Sequence, residues 1–242
     1  MIKIENIVLP SAEQMGFVIE GMRNPKNSWE KSDSYMNYDV RYEEDTEIHE
    51  PYYRVGAGDI SLMQRLSKAG TEHRKYMRMM PVYVRITAPL YWWKEFDTYQ
   101  VGVCPNPTDI IKNSCSTMHK IAEKEFTLDD FSHEHLTERS LDILKVTISE
   151  LNRYRALYLE GGQDYDGTFY KPKDKHIWWQ MIQLLPSSYN QTRNVMLNYE
   201  VLANIYRQRK YHKLDEWVKF CKWIETLPYK ELITGEYEEM KA

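Results

Sequence analysis

Apolar residues recur along this chain with two periods, and the switch from one to the other lays out its elements. Ile2, Ile4 and the run Ile7-Val8-Leu9 read as an opening strand stopped by Pro10, and residues 12–22 as a short helix. Residues 23–53 are polar, acidic and rich in turn formers, which predicts a long loop or hairpin region. From Asp59, read as the cap, Ile60, Met63 and Leu66, with Leu62, gather on one side of a helix. Residues 81–89 alternate: Val82, Val84 and Ile86 on one side, Tyr83, Arg85 and Thr87 on the other, the pattern of a strand. Residues 89–100 follow as a helix with Pro89 in its first turn, and Cys104-Pro105-Asn106-Pro107 breaks it.

In the second half, Thr127 to Asp130 has the form of a capping box, and Thr137 with Glu138 opens another helix. Leu141, Leu144, Ile148, Leu151 and Tyr158 then keep helical spacing until Gly161-Gly162 stops them. Residues 161–175 read as a solvated loop, and helices are expected near 175–185, 188–210 and 213–226. The sum is an α+β fold: a mostly helical single domain over 1–242 with a small antiparallel sheet, and with 30–58 and 161–175 as loop insertions.

Composition narrows the function more than the fold. With 42% hydrophobic and 28% charged residues among 242, and only ten Gly and ten Pro, the chain is neither disordered nor collagen-like nor low-complexity. Mean hydropathy is -0.67, no apolar run approaches the roughly 20 residues of a membrane span, and charge interrupts the first ten residues. The expectation is a soluble, cytoplasmic protein with no membrane partner. A net charge of -4, with short clusters such as Arg207-Gln208-Arg209-Lys210 in place of a basic stripe, argues against nucleic acid while leaving room for one bound nucleotide. Cys104, Cys115 and Cys221 form no CxxC, in keeping with a reduced compartment. Nineteen Tyr and seven Trp serve core and oligomer packing, or stacking on a flat ligand.

Familiar nucleotide and hydrolase motifs are missing: there is no GxGxxG, P-loop, GxSxG or HExxH. His133-Glu134-His135 invites a metal reading, but residues two apart diverge on a helix, so no metal is expected. His119 has no obvious partner, and Cys104 or Cys115 as nucleophile would need a nearby base that the local sequence does not show. More informative is 184–217, which carries Asn198, Asn204 and Arg209. On one continuous helix Asn198 and Arg209 come within about 20° of one face and lie about 16 Å apart, far enough to hold two ends of an extended ligand. Leu197, Val201 and Ile205, with Leu202, pack the other side. A polar face turned to water or to a subunit contact has the same pattern.

This stretch resembles the C-terminal signature of the flavin-dependent thymidylate synthases, the ThyX family, in which a Leu-Pro step precedes a helix with Asn, Asn and Arg at this spacing; here the step is Leu185-Pro186. Ala69-Gly70-Thr71-Glu72-His73, followed by a strand and Ala88-Pro89, is similar to a second family segment, and Asn113-Ser114-Cys115-Ser116 more weakly to a third. The resemblance implies an α+β fold and a homotetramer binding FAD and dUMP where subunits meet, with NADPH and methylenetetrahydrofolate as co-substrates. It implies that Asn198, Asn204 and His73 contact the flavin. It places Arg209 at the pyrimidine, favouring an ionised ring with a nucleophilic C5, a role that suits a permanently charged guanidinium. Ser116 would donate to the nucleotide phosphate, Asn113 would shape that loop, and no cysteine nucleophile is needed.

The chain also departs from that family. Its Arg-His-Arg triplet is replaced by Thr98-Tyr99-Gln100, and the preceding Gln by Glu95. Ser114 and Met118 stand where Glu and Arg are expected, Ile182 replaces an Arg, and the loop holding Cys104-Pro105-Asn106-Pro107 is longer. These losses remove donors that grip phosphates bidentately; Lys94, Lys112, Lys120, Arg85 and Arg23 are candidates to compensate. Glu95 would accept a hydrogen bond from a cytosine amino group, which points to a dCMP-type substrate. Two readings result: a divergent ThyX-like enzyme acting on dUMP or a related pyrimidine deoxynucleotide, or a ThyX-fold protein without that activity, serving as a nucleotide-binding or structural oligomeric subunit.

Overall fold

The computed structural model describes residues 1–43, 46–100 and 111–236. Strand β1 (Lys3–Val8) leads to α1 (Ala12–Arg23), which a capping box starts: the Ser11 hydroxyl accepts from Gln14 N at 3.2 Å, and the Gln14 side chain accepts from Ser11 N at 2.9 Å. β2 (Tyr35–Glu43) and β3 (Thr46–Arg54) form an antiparallel hairpin in register from Tyr35 opposite Arg54 to Glu43 opposite Thr46. Next come α2 (Ala57–Lys68), β4 (Pro81–Pro89) and α3 (Leu90–Phe96), which tightens into a 3₁₀ turn at Asp97–Gln100. β5 (Ile111–Ser114) and α4 (Thr117–Lys120) precede the long α5 (Glu138–Glu160), capped by the Thr137 hydroxyl. A short ladder of β6 (Gly162–Gln163) with β7 (Phe169–Tyr170) leads to α6 (Lys175–Leu184), β8 (Asn190–Asn198), α7 (Tyr199–Arg209), α8 (Asp215–Ile224) and α9 (Glu231–Thr234). About half of the chain is helical, and the larger sheet has the order β1-β4-β8-β5.

The chain divides into two units. The first comprises Met1–Ile4, Ile86–Asp97 and Asn113–Asn194. Its core joins Phe126, Phe131, Leu144, Ile148, Leu151 and Met181, and Trp92 stacks on Phe96 with ring centroids 4.9 Å apart. The start of α3 is held by backbone carbonyls just past Pro186: Leu90 N donates to Tyr189 O and Tyr91 N to Ser187 O, both at 3.0 Å. The orphan N–H groups of a helix whose cap is a proline are met in this way.

The second unit comprises Glu5–Arg85, Thr98–Lys112 and Val195–Ala242. Its core gathers Met63, Met77, Val82, Leu197, Val201, Ile205, Trp217 and Phe220, all buried. Two buried acids are matched by arginines. Glu200 pairs with Arg74 at 3.2 Å and with Arg78. Asp59 accepts from Arg23 Nε at 2.6 Å and from the hydroxyls of Ser32 and Ser34, each at 2.6 Å.

Two expected elements change. The cap of α2 is Gly56, three residues before Asp59, and Asp59 lies within the first turn, fully buried. The first-turn N–H groups of Gly58 and Asp59 are taken by the Asp33 carboxylate at 2.7 and 3.0 Å, which holds its pKa below the usual carboxylate value. A Cβ at Gly56 would stand 2.4 Å from the Asp33 carbonyl oxygen, so the chain needs glycine there. The helix expected over 188–210 is a strand as far as Asn198 and a helix only from Tyr199. Val195 and Leu197, two apart, are both buried, the period of a strand.

Asp59→Ala leaves the Arg23 guanidinium buried without its carboxylate, and is expected to lower unfolding free energy by about 3–5 kcal/mol. Ser32→Ala, which removes one hydroxyl donor from the same carboxylate, should cost about 1 kcal/mol. Urea denaturation followed by circular dichroism measures both; equal costs would show that the ion pair is not the anchor of this cluster.

Candidate functional site

The strand-to-helix step at Asn198 sets the geometry of the second unit's candidate residues. Asn198 has extended backbone (φ -135°, ψ 169°), and its side-chain oxygen accepts from Val201 N at 3.0 Å, capping α7. It therefore does not share a helical face with Arg209, as one continuous helix would have required. Asn198 and Asn204 are 5% and 8% exposed. The Asn204 oxygen accepts from Arg207 Nη2 at 3.0 Å. Among the described residues neither amide nitrogen has a partner, so each asparagine offers two N–H donors from a mostly buried position.

Arg209 ends α7, roughly 140° and about 7.5 Å on from Asn204. Its Nε donates to the Tyr99 hydroxyl at 2.7 Å, and that hydroxyl donates to Gln208 Oε1 at 3.2 Å. The guanidinium lies 5.1 Å from the buried Trp217 ring centroid and 5.6 Å from that of Tyr99. Tyr99 is a residue that motif reading missed. It stands in the segment read as a lost arginine triplet, and it orients the one guanidinium the signature retains.

His73 lies elsewhere in this unit. It is exposed, its Nε2 is 3.6 Å from Glu72 Oε1, and it borders a cavity of about 280 Å³ with Met22, Leu66, Lys75 and Tyr76. Its segment turns at Gly70, whose φ of +111° favours glycine.

In the first unit, Glu95 is half-buried on α3, Asn113 is exposed on β5, and Ser116 caps α4 by accepting from His119 N at 3.2 Å. Ser116 borders a polar cavity of about 280 Å³ with Thr87, Thr117, Lys124, Asp130 and Gln191. The Lys124 ammonium is paired with Asp130, which raises its pKa. Arg193 was also missed, because a continuous helix hid the strand that carries it. It lies 4.2 Å over the Trp93 ring and donates to Asp97 at 3.1 Å and to Gln191 at 2.9 Å. Burial lowers its pKa, with Asp97 opposing the shift.

Of the three cysteines, Cys115 borders the cavity beside Ser116. Burial pushes the Cys221 thiol up to about 12, Cys115 is exposed, and Cys104 lies outside the described residues. Among the described residues no group of three or more His, Cys, Asp or Glu is placed to hold a metal ion, and no helix is long and apolar enough to cross a membrane.

No protein-family profile and no curated protein sequence matches this chain. Solved structures do. Flavin-dependent thymidylate synthase ThyX from Helicobacter pylori, complexed with FAD and dUMP, aligns over 96% of this chain and 96% of its own at 14% identity, with a TM-score of 0.58. A second structure of that protein with FAD and dUMP gives 14% identity, 96% and 95% coverage, and 0.58. The UMP/dUMP methylase PolB from Streptomyces cacaoi, bound with 5-Br dUMP, gives 10%, 97% and 95% coverage, and 0.57. Over nearly its whole length, then, the chain is an α+β protein of one known architecture. It has the ThyX fold, as the sequence motifs implied.

Asn198→Ala removes the cap of α7 and should cost about 1 kcal/mol, whereas Asn198→Asp, which keeps an accepting oxygen at a helix start, should recover most of it. Thermal unfolding of the three proteins checks this; an Asp variant as unstable as Ala would show that the side chain does more than cap.

Proposed function

We propose that this chain is a flavin-binding enzyme acting on a pyrimidine nucleotide, with reductive methylation of dUMP or a close relative as its reaction. The observation that carries the reading is α7: two mostly buried asparagines with unused N–H donors at its start and middle, and at its end a guanidinium fixed by Tyr99 and Trp217, in a chain of ThyX fold. The donors fit a flavin, whose ring carbonyls and phosphates accept hydrogen bonds, and Asn198, Asn204 and His73 would hold it. A bound flavin supplies the hydride chemistry that no side chain can. Arg209 would meet a pyrimidine carbonyl and stabilise negative charge on the ring, and Tyr99, by taking Nε, fixes the plane of that guanidinium. Ser116 and Asn113 would serve the phosphate side. Glu95 would set base preference, since a carboxylate accepts from an amino group and opposes a carbonyl. The reading extends to NADPH and methylenetetrahydrofolate as co-substrates and to a homotetramer as the working form.

One observation favours a second reading, a nucleotide-binding protein of this fold without synthase activity. Tyr99, buried against Arg209, lies in Thr98-Tyr99-Gln100, the segment that stands for the family's Arg-His-Arg triplet and offers no arginine to a phosphate.

The test starts with the visible absorption spectrum of the purified protein with added FAD, followed by titration with dUMP, UMP and dCMP. The expected outcome is a protein-perturbed flavin spectrum and a saturable response to one pyrimidine nucleotide. Arg209→Ala should weaken nucleotide binding at least about tenfold while the flavin spectrum persists. Nucleotide affinity unchanged in that variant would defeat the assignment of Arg209. Flavin and nucleotide binding without turnover would select the second reading.

A further inference from the structure

The side of α7 turned away from Arg209 carries a second concentration of charge. Ala203, Arg207 and Lys210 follow helical spacing on one face, with Arg209 roughly 160° round the helix from Arg207. This face borders a cavity of about 300 Å³ whose opposite wall includes Lys68, Arg74 and residues 232–235 around α9. Among the described residues, four that border it are cationic and none is acidic. The acids nearby are already engaged: Glu200 with Arg74 and Arg78, and Glu236 with Lys210 at 2.6 Å. Arg74 uses only Nε, and Arg207 only Nη2, so among the described residues their remaining N–H groups have no partner. Arg74 is held rigidly, its side chain 15% exposed, by a carboxylate behind it. Two guanidinium forks left open on one rim make a place for an anion.

Aromatic rings on the same rim narrow the class of anion. The Lys210 ammonium lies 5.0 Å from the Tyr206 ring centroid and 5.6 Å from that of Tyr211. Tyr211 is 90% exposed, a flat hydrophobic surface. Open arginine forks beside an uncovered aromatic face suit phosphates joined to a nucleobase.

We propose that this cavity binds a nucleoside polyphosphate at a site on the Arg207 face of α7, separate from its Arg209 face. Its phosphates meet Arg74, Arg207 and Lys210, and its base lies on Tyr211. The site meets one of the proposed flavin donors, Asn204, through one bond. Arg207 donates to the Asn204 oxygen, so a phosphate that draws Arg207 into the cavity frees that oxygen and alters the donor set offered to a flavin.

Isothermal titration of the full-length protein with inorganic pyrophosphate and with ATP tests the site without reference to any activity. The expected result is one-to-one binding of both, with ATP tighter by at least about fivefold, and affinities that fall as salt rises. Arg207→Gln, at an exposed position, should weaken both at least about tenfold, and Arg207→Lys should recover part of the loss. Tyr211→Ala should abolish the preference for ATP and leave pyrophosphate unchanged. Absence of binding, or binding indifferent to Arg207→Gln, overturns the proposal. Pyrophosphate binding with no preference for ATP overturns the nucleotide assignment. If added pyrophosphate excludes FAD without limit, the cavity is part of the flavin site and its separateness fails; a protein that takes up no FAD is still judged on the two isotherms alone.

Discussion

The second unit turns on one side chain taking one backbone proton. At Asn198 the chain leaves the larger sheet and enters α7, and the Asn198 oxygen accepts the Val201 N–H that a helix start leaves without a partner. Everything downstream inherits its direction from that step. The rotation of α7 sends Val201 and Ile205 into the core, Arg209 toward Tyr99 and Trp217, and Arg207 and Lys210 to the opposite side. Were the helix to begin a residue earlier or later, each of these side chains would turn by about 100°, and the buried stripe would no longer meet α8 and α9. A cap is worth only about 1 kcal/mol in stability. Its larger consequence is to fix the phase in which a short amphipathic helix presents both its core and its chemistry.

Arginine is the other recurrent device. Arg23 and Asp59 neutralise each other in the core, Arg74 and Arg78 together hold Glu200, and Arg193 lies between Asp97 and the Trp93 ring. In each case a guanidinium meets a carboxylate, and that of Arg193 also lies over an aromatic face, which an ammonium does less well. Glu200 is thereby shared by two arginines beside α7. Local charge here is decided by which acids are buried, and total composition does not reveal it.

Much of the architecture was legible because it is written in local rules. Strand β4 shows in the alternation of Val82, Val84 and Ile86. The end of α5 shows in Gly161-Gly162, and the turn at Thr127–Asp130 in its capping box. Strand β8 was hidden because its first half, Asn190 to Asn194, is polar on both faces, and the buried pair Val195 and Leu197 merges with the helical stripe that follows. Asp59 was misread for a related reason. An acid at a helix start is ordinarily a cap, and only the distant Arg23, with Ser32 and Ser34, shows that this one is the centre of a buried cluster. Asn198, Asn204 and Arg209 could be picked out by spacing, whereas the role of Tyr99 depends on a contact 110 residues away, which no local pattern carries.

That contact bears on how a ThyX fold can persist without the family's arginine triplet. An arginine exposed to phosphate and a tyrosine buried against a guanidinium do different work: the first binds an anion from outside, the second orients a cation already present. Tyr99, 4% exposed, bonds Arg209 and Gln208 and meets the Trp217 ring edge to face, so its own side chain serves the end of the helix. Under the proposed function, phosphate affinity would then come from other cations, while discrimination at the base would rest on an arginine held more rigidly than a lone surface side chain could be.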